Sequence, residues 1–147
     1  MTWTRDTLSV TTDRTEVDLS LVSEFLGSCY WAAGIPPATV RKSIENSMCF
    51  LVRDGERQVG FARVITDRAT FAYIGDVFVV EDCRGRGLSK WLMECITSHP
   101  ELQGLRRWIL ATRDAHGLYE QFGFTPLKDP TRFMERHDPE VYSRPGR

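Results

Sequence analysis

The stretch VVEDCRGRGLSKWL, residues 79–92, joins an apolar run to a helical pattern through two closely spaced glycines. The apolar run 77–80 has no alternation, which predicts a central strand that is covered on both faces. After the glycines, apolar side chains recur at helical spacing, at Leu88, Trp91 and Leu92. The stretch therefore predicts a buried strand, a tight loop and an amphipathic helix in direct succession.

The loop in this stretch has the composition of an anion site. Gly85 and Gly87 allow the backbone to approach a ligand closely. The first N–H groups of the following helix have no intrahelical partner, and the helix dipole is positive there. Arg84 and Arg86 add positive charge, so the loop is predicted to bind a pyrophosphate. The alternative is a glycine-rich turn with solvated arginines. Neither the P-loop pattern nor the third glycine of the dinucleotide fingerprint is present.

Upstream of the loop the sequence predicts a strand meander. Apolar and β-branched runs alternate with turn signals at Asp54-Gly55 and Asp67-Arg68, which favours antiparallel hairpins. Before the meander, a short strand and two helices are expected, with Asp18 or Ser20 as the first cap and Pro37 in the second helix's first turn. The first helix is predicted to carry Val22, Phe25, Leu26, Cys29 and Tyr30 on one face. The predicted strands are 8–11, 49–52, 58–65 and 71–80.

Downstream of the loop the pattern alternates between helix and strand. A strand is predicted at 108–111, a helix at 114–122, and closing strands at 124–127 and 133–134. The complete order predicts an α+β fold, with a mixed, mostly antiparallel central sheet flanked by helices on both faces.

Composition narrows the class of protein. The 147 residues predict one domain over 1–147. A net charge of -1 argues against a nucleic-acid partner, and no apolar run is long enough for a membrane span. The four cysteines and three histidines show no metal-ligand spacing, so no metal is expected. The cysteines are widely spaced, which predicts reduced thiols. Together with the lack of a signal-peptide pattern, this predicts a cytoplasmic protein.

Two elements resemble a known family. Arg84-x-x-Gly87-x-Ser89 after an apolar strand resembles the acyl-CoA signature of the GNAT superfamily of N-acetyltransferases, with Ser89 where Gly or Ala is usual. Residues 114–124, DAHGLYEQFGF, are similar to the family's late A-x-x-x-Y-x-x-x-G-F element. Thr112 stands where many members carry an Asn that contacts the pantetheine.

The resemblance implies transfer of an acetyl group from acetyl-CoA to a primary amine, by direct attack in a ternary complex. Tyr119 matches the general acid that protonates the leaving thiolate; the alternative is a core tyrosine. Backbone N–H groups of the strand before the loop are implied to polarise the thioester. The residues implied to bind acetyl-CoA are Phe78, Val79, Val80, Arg84, Gly85, Arg86, Gly87, Leu88, Ser89, Lys90, Thr112 and Tyr119.

The base that accepts the amine proton is predicted to be Asp76, in the strand that leads to the loop. A structural Asp satisfied by hydrogen bonds is the alternative. Tyr73 is a second candidate for proton relay, although strict alternation places it on the face opposite Asp76 unless a bulge intervenes. Tyr30 and Trp31 are expected either to wall the amine pocket or to pack the first helix on the sheet.

Two other classes of function stay open at this point. One is a non-catalytic acyl-CoA sensor that keeps the fold. The other is an acyltransferase that acts on a protein or on aminoacyl-tRNA, the latter disfavoured by the net charge. A small-molecule amine is the expected acceptor, with neither nucleic acid nor membrane as a partner. A homodimer is frequent in the family and is left open.

Overall fold

A six-stranded sheet forms the centre of the computed structural model, which describes residues 1–144. Its strands follow one another in chain order, β1 to β6. Neighbouring strands are antiparallel except for β5 and β6, which are parallel. The strands are β1 Thr2–Arg5, β2 Leu8–Thr11, β3 Met48–Asp54, β4 Arg57–Thr66, β5 Phe71–Val79 and β6 Arg107–Leu110.

Within residues 1–144, four α-helices connect or follow these strands. The first begins after Asp18, whose carboxylate accepts from the N–H of Leu21 at 3.1 Å, and the second has Pro37 in its first turn. The third begins directly after Gly87. The helices are α1 Leu19–Ser28, α2 Pro37–Glu45, α3 Leu88–Ser98 and α4 His116–Glu120.

The sheet has an apolar core on each face. Trp91, Leu92 and Ile96 of α3 pack against one face of β3, β4 and β5, in the cluster that also contains Tyr119 of α4. On the other face, α1 and α2 bury Val22 and Val40, among others, against a separate cluster. The predicted architecture of a mostly antiparallel sheet with helices on both faces is therefore confirmed.

The two ends of the chain differ from the prediction. β1 was not expected, because its run TWTR offers one apolar side chain, that of Trp3. The predicted strands 124–127 and 133–134 are wrong: neither is a strand, since Pro126 has no N–H to donate to a ladder and Met134 is 98% exposed. The helix predicted over 114–122 is shorter, at His116–Glu120.

The first helix also ends earlier than the periodicity predicts. α1 stops at Ser28, with Cys29 as its C-cap, so Tyr30 lies outside the helix and is 60% exposed. The segment from Cys29 to Pro36 is consequently a loop between α1 and α2 that carries two exposed aromatic side chains, those of Tyr30 and Trp31.

Candidate active site

A cleft opens where β5 and β6 part. The two strands pair from Phe71 with Arg107 to Ile74 with Leu110, where β6 ends. β5 continues to Val79 with β4 on one side. In the part of the chain that the structure describes, no strand covers the other side of residues 75–79. That edge of β5 therefore carries backbone groups that pair with no strand, and the carbonyl of Val79 on it accepts from the side chain of Arg84.

A β-bulge distorts β5 at this cleft. Phe61 pairs with Phe78 and Arg63 with Gly75, so Ala62 of β4 faces two residues, Asp76 and Val77. Asp76 adopts φ +55, a conformation that is uncommon for a residue other than glycine. The extra residue restarts the alternation of side chains beyond the bulge.

The bulge places Tyr73 and Asp76 on one face of the sheet. Asp76 contacts Trp31 and Arg63 on the face covered by α1 and α2. Ala72 and Ile74 belong to the core on the α3 face, so Tyr73 between them points to the α1 and α2 face as well. The sequence required a bulge between Tyr73 and Asp76 for the two side chains to share a face, and the strand has one.

The bulge and the ladder also determine which N–H groups point into the cleft. The N–H of Val80 donates to the carbonyl of Val59 at 2.8 Å. In an antiparallel ladder successive N–H groups alternate in direction, so that of Phe78 also points to β4 and that of Val79 points away from it. Of the three predicted residues, Val79 is therefore the one whose N–H faces the cleft. Phe78 is instead stacked on Phe25, with ring centroids 4.0 Å apart.

The loop before α3 exposes backbone N–H groups to solvent. Gly85 and Gly87 adopt φ +80 and +73, and a Cβ at either position would meet nothing within 4 Å. These glycines are required for their backbone conformation, and open space lies beside them. No side chain caps α3, so its first-turn N–H groups, those of Leu88, Ser89 and Lys90, lack an intrahelical partner. This open cradle fits a pyrophosphate.

Three cations surround this cradle. The Nε of Arg84 donates to the carbonyl of Val79 at 3.0 Å, which places the side chain beside the cleft. Arg86 lies 3.6 Å from the carboxylate of Asp54. Lys90 is exposed and has no ion-pair partner among residues 1–144. The structure therefore brings the three predicted cations together at the start of α3.

Tyr119 lies on the α3 face of the sheet, where its ring packs edge-on against Phe124 with centroids 6.1 Å apart. Its side chain is 8% exposed, and its hydroxyl makes no hydrogen bond to residues 1–144. Burial, assisted by the charge of Asp114, raises the pKa of Tyr119 above its ordinary value. The phenol therefore keeps its proton at neutral pH, as a general acid must. The hydroxyl of Thr112, just before α4, accepts a hydrogen bond from the N–H of Ala115 at 3.0 Å.

Asp76 is held by two side chains. One oxygen accepts from Nε of Arg63 at 2.8 Å, and the other accepts from Nε1 of Trp31 at 3.2 Å. Arg63 in turn donates to the hydroxyl of Ser47 at 3.0 Å. The side chains of Arg63 and Asp76 are 18% and 11% exposed, so the pair is largely removed from solvent. This network ties β4, β5 and the loop after α1 to the bulge.

Arg63 was not singled out from the sequence. It stands in the strand 58–65, where an arginine on an otherwise apolar run requires a nearby carboxylate if its charge is to be buried. Asp76 is the acidic residue of the neighbouring strand β5. One charged residue on each of two neighbouring strands indicates a possible ion pair. The strand register was needed to show that Arg63 and Asp76 come close enough to form it.

Comparison with known proteins identifies the family. Residues 45–126 match the model of the acetyltransferase (GNAT) domain, which covers β3 to α4 and with them the cleft. The chain belongs to the GNAT acetyltransferase family. A "putative acetyltransferase" of Gibberella zeae is 29% identical over 140 residues, covering 80% of this chain and 78% of that protein.

Solved structures agree with this assignment. A GNAT-family "putative acetyltransferase" from Xanthomonas campestris pv. campestris is 51% identical and covers 93% of this GNAT chain and 97% of its own, with a TM-score of 0.91. A "predicted acetyltransferase" from Clostridium acetobutylicum, solved with acetyl-CoA, shares the fold at 12% identity, covering 88% of this chain and 96% of its own, with a TM-score of 0.64.

Two structural features are absent from residues 1–144. Within them, no group of three or more His, Cys, Asp or Glu side chains is placed to hold a metal ion. No helix among them is both long and apolar enough to cross a membrane.

Proposed function

We propose that this GNAT protein transfers the acetyl group of acetyl-CoA to a primary amine by direct attack in a ternary complex. One observation carries the proposal. Tyr119 and Asp76 belong to opposite faces of the sheet, Tyr119 to the core on the α3 face and Asp76 to the α1 and α2 face, where it meets Trp31 and Arg63. A proton donor on one side and a proton acceptor on the other suit a reaction in which the amine arrives opposite the departing thiol.

The loop before α3 is assigned to the pyrophosphate of acetyl-CoA. The first-turn N–H groups and the backbone at Gly85 and Gly87 supply donors, and Arg84, Arg86 and Lys90 supply charge. When bound, acetyl-CoA supplies an acetyl group activated as a thioester. The acetyl-CoA in the Clostridium acetobutylicum structure supports this choice of co-substrate. The edge of β5 beyond Ile74, which no described strand covers, is assigned to align the pantetheine arm as an added strand.

Asp76 is assigned as the proton acceptor for the amine, acting through water. A lysine-like amine with a pKa near 10.4 costs about 4.6 kcal/mol to neutralise at pH 7, so a positioned acceptor matters. Asp76 retains free lone pairs beyond the bonds from Arg63 and Trp31, since each carboxylate oxygen accepts more than one hydrogen bond. Tyr73, on the same face, is assigned as a relay that passes a proton to it.

Tyr119 and Val79 are assigned to act on the thioester of acetyl-CoA. The N–H of Val79 donates to the carbonyl oxygen as negative charge develops there. The neutral amine adds to the carbonyl carbon, and the C–S bond breaks when the tetrahedral intermediate collapses. The nitrogen releases its second proton to solvent, and the thiolate takes a proton from Tyr119, which solvent then reprotonates. Tyr119 is suited to this because its raised pKa keeps it protonated until the thiolate appears.

The test is thiol release from acetyl-CoA in the presence of a panel of small amines, with the acetylated product identified by mass. The proposal expects CoA and N-acetylated amine in equal amounts. Tight binding of acetyl-CoA without thiol release for any amine would instead establish a non-catalytic sensor. Turnover confined to peptide N-termini or aminoacyl-tRNA would establish an acyltransferase of macromolecules.

A further inference from the structure

An aromatic wall leads from the bulge of β5 to an exposed arginine. Trp31 is hydrogen-bonded to Asp76, and the ring of Tyr30 packs edge-on against Trp31, with centroids 5.2 Å apart. The guanidinium carbon of Arg113 lies 3.9 Å from the centroid of the Tyr30 ring. Arg113 follows β6 by three residues, so this contact bridges the loop after α1 and the loop after β6 across the mouth of the cleft.

Arg113 has no carboxylate partner within residues 1–144; in this it resembles Arg84 and differs from Arg63 and Arg86. Arg63 is paired with Asp76, Arg86 with Asp54, and Arg57 with Asp82. Within residues 1–144, no carboxylate oxygen lies within 4.0 Å of the Arg113 guanidinium. Its side chain is exposed, and the contact with Tyr30 holds it in place while leaving its N–H groups free to donate.

The acidic side chain of this wall is already engaged. Both oxygens of Asp76 accept hydrogen bonds, one of them from a cation, so its charge is balanced by Arg63. A second positive group on the acceptor amine would therefore lie beside the positive charge of Arg113. The wall formed by Trp31 and Tyr30 offers that group no carboxylate that is not already paired. An anionic group would meet a fixed guanidinium, which binds carboxylate and phosphate through paired donors.

We infer that Arg113, held over Tyr30, selects an acceptor amine that also carries a carboxylate or a phosphate. This inference rests on the proposed function and adds the chemical class of the acceptor to it. Arg113 acts on specificity, and no step of the acetyl transfer itself requires it. Its contribution is electrostatic, so it weakens as ionic strength rises.

The experiment compares kcat/KM for matched amines that differ in one anionic group. The pairs are 4-aminobutyrate with butylamine, and O-phosphoethanolamine with ethanolamine, which separate carboxylate from phosphate. Each is assayed by CoA thiol release with the wild type and with Arg113→Gln. The wild type is expected to prefer the anionic member of at least one pair by tenfold or more. Arg113→Gln should remove that preference while leaving kcat/KM for butylamine and ethanolamine within about twofold.

Arg106→Gln is the matched control. Arg106 is also exposed but precedes β6, at the end of the strand opposite Arg113, and it should leave the preference unchanged. Equal kcat/KM within both pairs, or a preference that survives in Arg113→Gln, would overturn the inference while leaving acetyl transfer intact. No thiol release with any of the four amines or the wider panel would contradict the proposed function and the inference with it.

Discussion

Tyr73 and Asp76 lie on the same face of β5, because the bulge opposite Ala62 inserts one extra residue into the strand. The same bulge marks the point beyond which β5 leaves β6, whose last pair is Ile74 with Leu110. One irregularity therefore aims the predicted proton acceptor and sets the place where an extended co-substrate can enter.

Asp76→Asn is expected to lower kcat/KM by about a hundredfold, because the amide cannot take the amine proton. The measurement is kcat/KM at neutral pH for wild type and variant.

Trp31→Phe is the control for this variant, since it removes the 3.2 Å hydrogen bond to Asp76 and keeps an aromatic ring. Its loss of kcat/KM should stay below tenfold. If Trp31→Phe loses as much activity as Asp76→Asn, Asp76 serves to fix the bulge and is not the proton acceptor.

Tyr119→Phe should reduce kcat by at least tenfold and leave the KM for acetyl-CoA within about twofold, because the buried ring still packs while the proton donor is gone. Since burial raises the pKa of Tyr119, this acid should lose its proton only at pH values above the ordinary tyrosine pKa of about 10. The wild-type rate should fall through its loss only there. Unchanged kcat in the variant would assign Tyr119 to the core alone.

Gly87→Ala should lower the free energy of unfolding by about 1 kcal/mol, since φ +73 is unfavourable for a residue with a Cβ. It should also raise the KM for acetyl-CoA several-fold through a shifted start of α3. Gly27→Ala is the control: Gly27 is inside α1 with open space around it, so alanine should stabilise by about 0.5–1 kcal/mol. Equal effects of the two variants on stability and KM would contradict the role of the left-handed turn.

His99 should make the protein less stable in acid. It is 5% exposed, and its Nδ1 accepts from the N–H of Glu101 at 3.1 Å. Burial lowers the pKa of His99, so the unfolded chain takes up this proton first as the pH falls below about 6.5. The free energy of unfolding should therefore decrease from there down to the native pKa and then level off.

Chemical unfolding at several pH values checks this expectation. His99→Asn, whose Oδ1 can replace the acceptor Nδ1, should flatten that part of the curve, whereas His137→Asn on an exposed segment should leave it unaltered. A curve that His99→Asn does not flatten would assign the acid sensitivity to other groups.

The sequence predicts the fold well where periodicity and turn signals coincide. Gly85 and Gly87 indicate both the end of β5 and the start of α3, because the loop that joins these two elements has a left-handed backbone at both glycines. At the C-terminus the apolar pair Phe133-Met134 is misleading, since an apolar pair specifies no strand without a neighbour to pair with.

The site was predictable in part. Residue types and spacing suffice for the anion cradle, whose donors lie within a few residues of one another. The Arg63–Asp76 pair and the Tyr30–Arg113 contact join residues far apart in sequence, and both depend on the bulge register and on where α1 ends. No local pattern encodes either feature, which is why the wall around the proposed acceptor site emerged only from the structure.

Initial velocities with acetyl-CoA and an accepted amine both varied test the central claim most directly. Direct transfer in a ternary complex predicts intersecting reciprocal plots, CoA release that requires the amine, and one N-acetylated product for each thiol. Parallel plots with an acetyl group retained on the protein, or acetyl-CoA binding without thiol release for every amine, would contradict it.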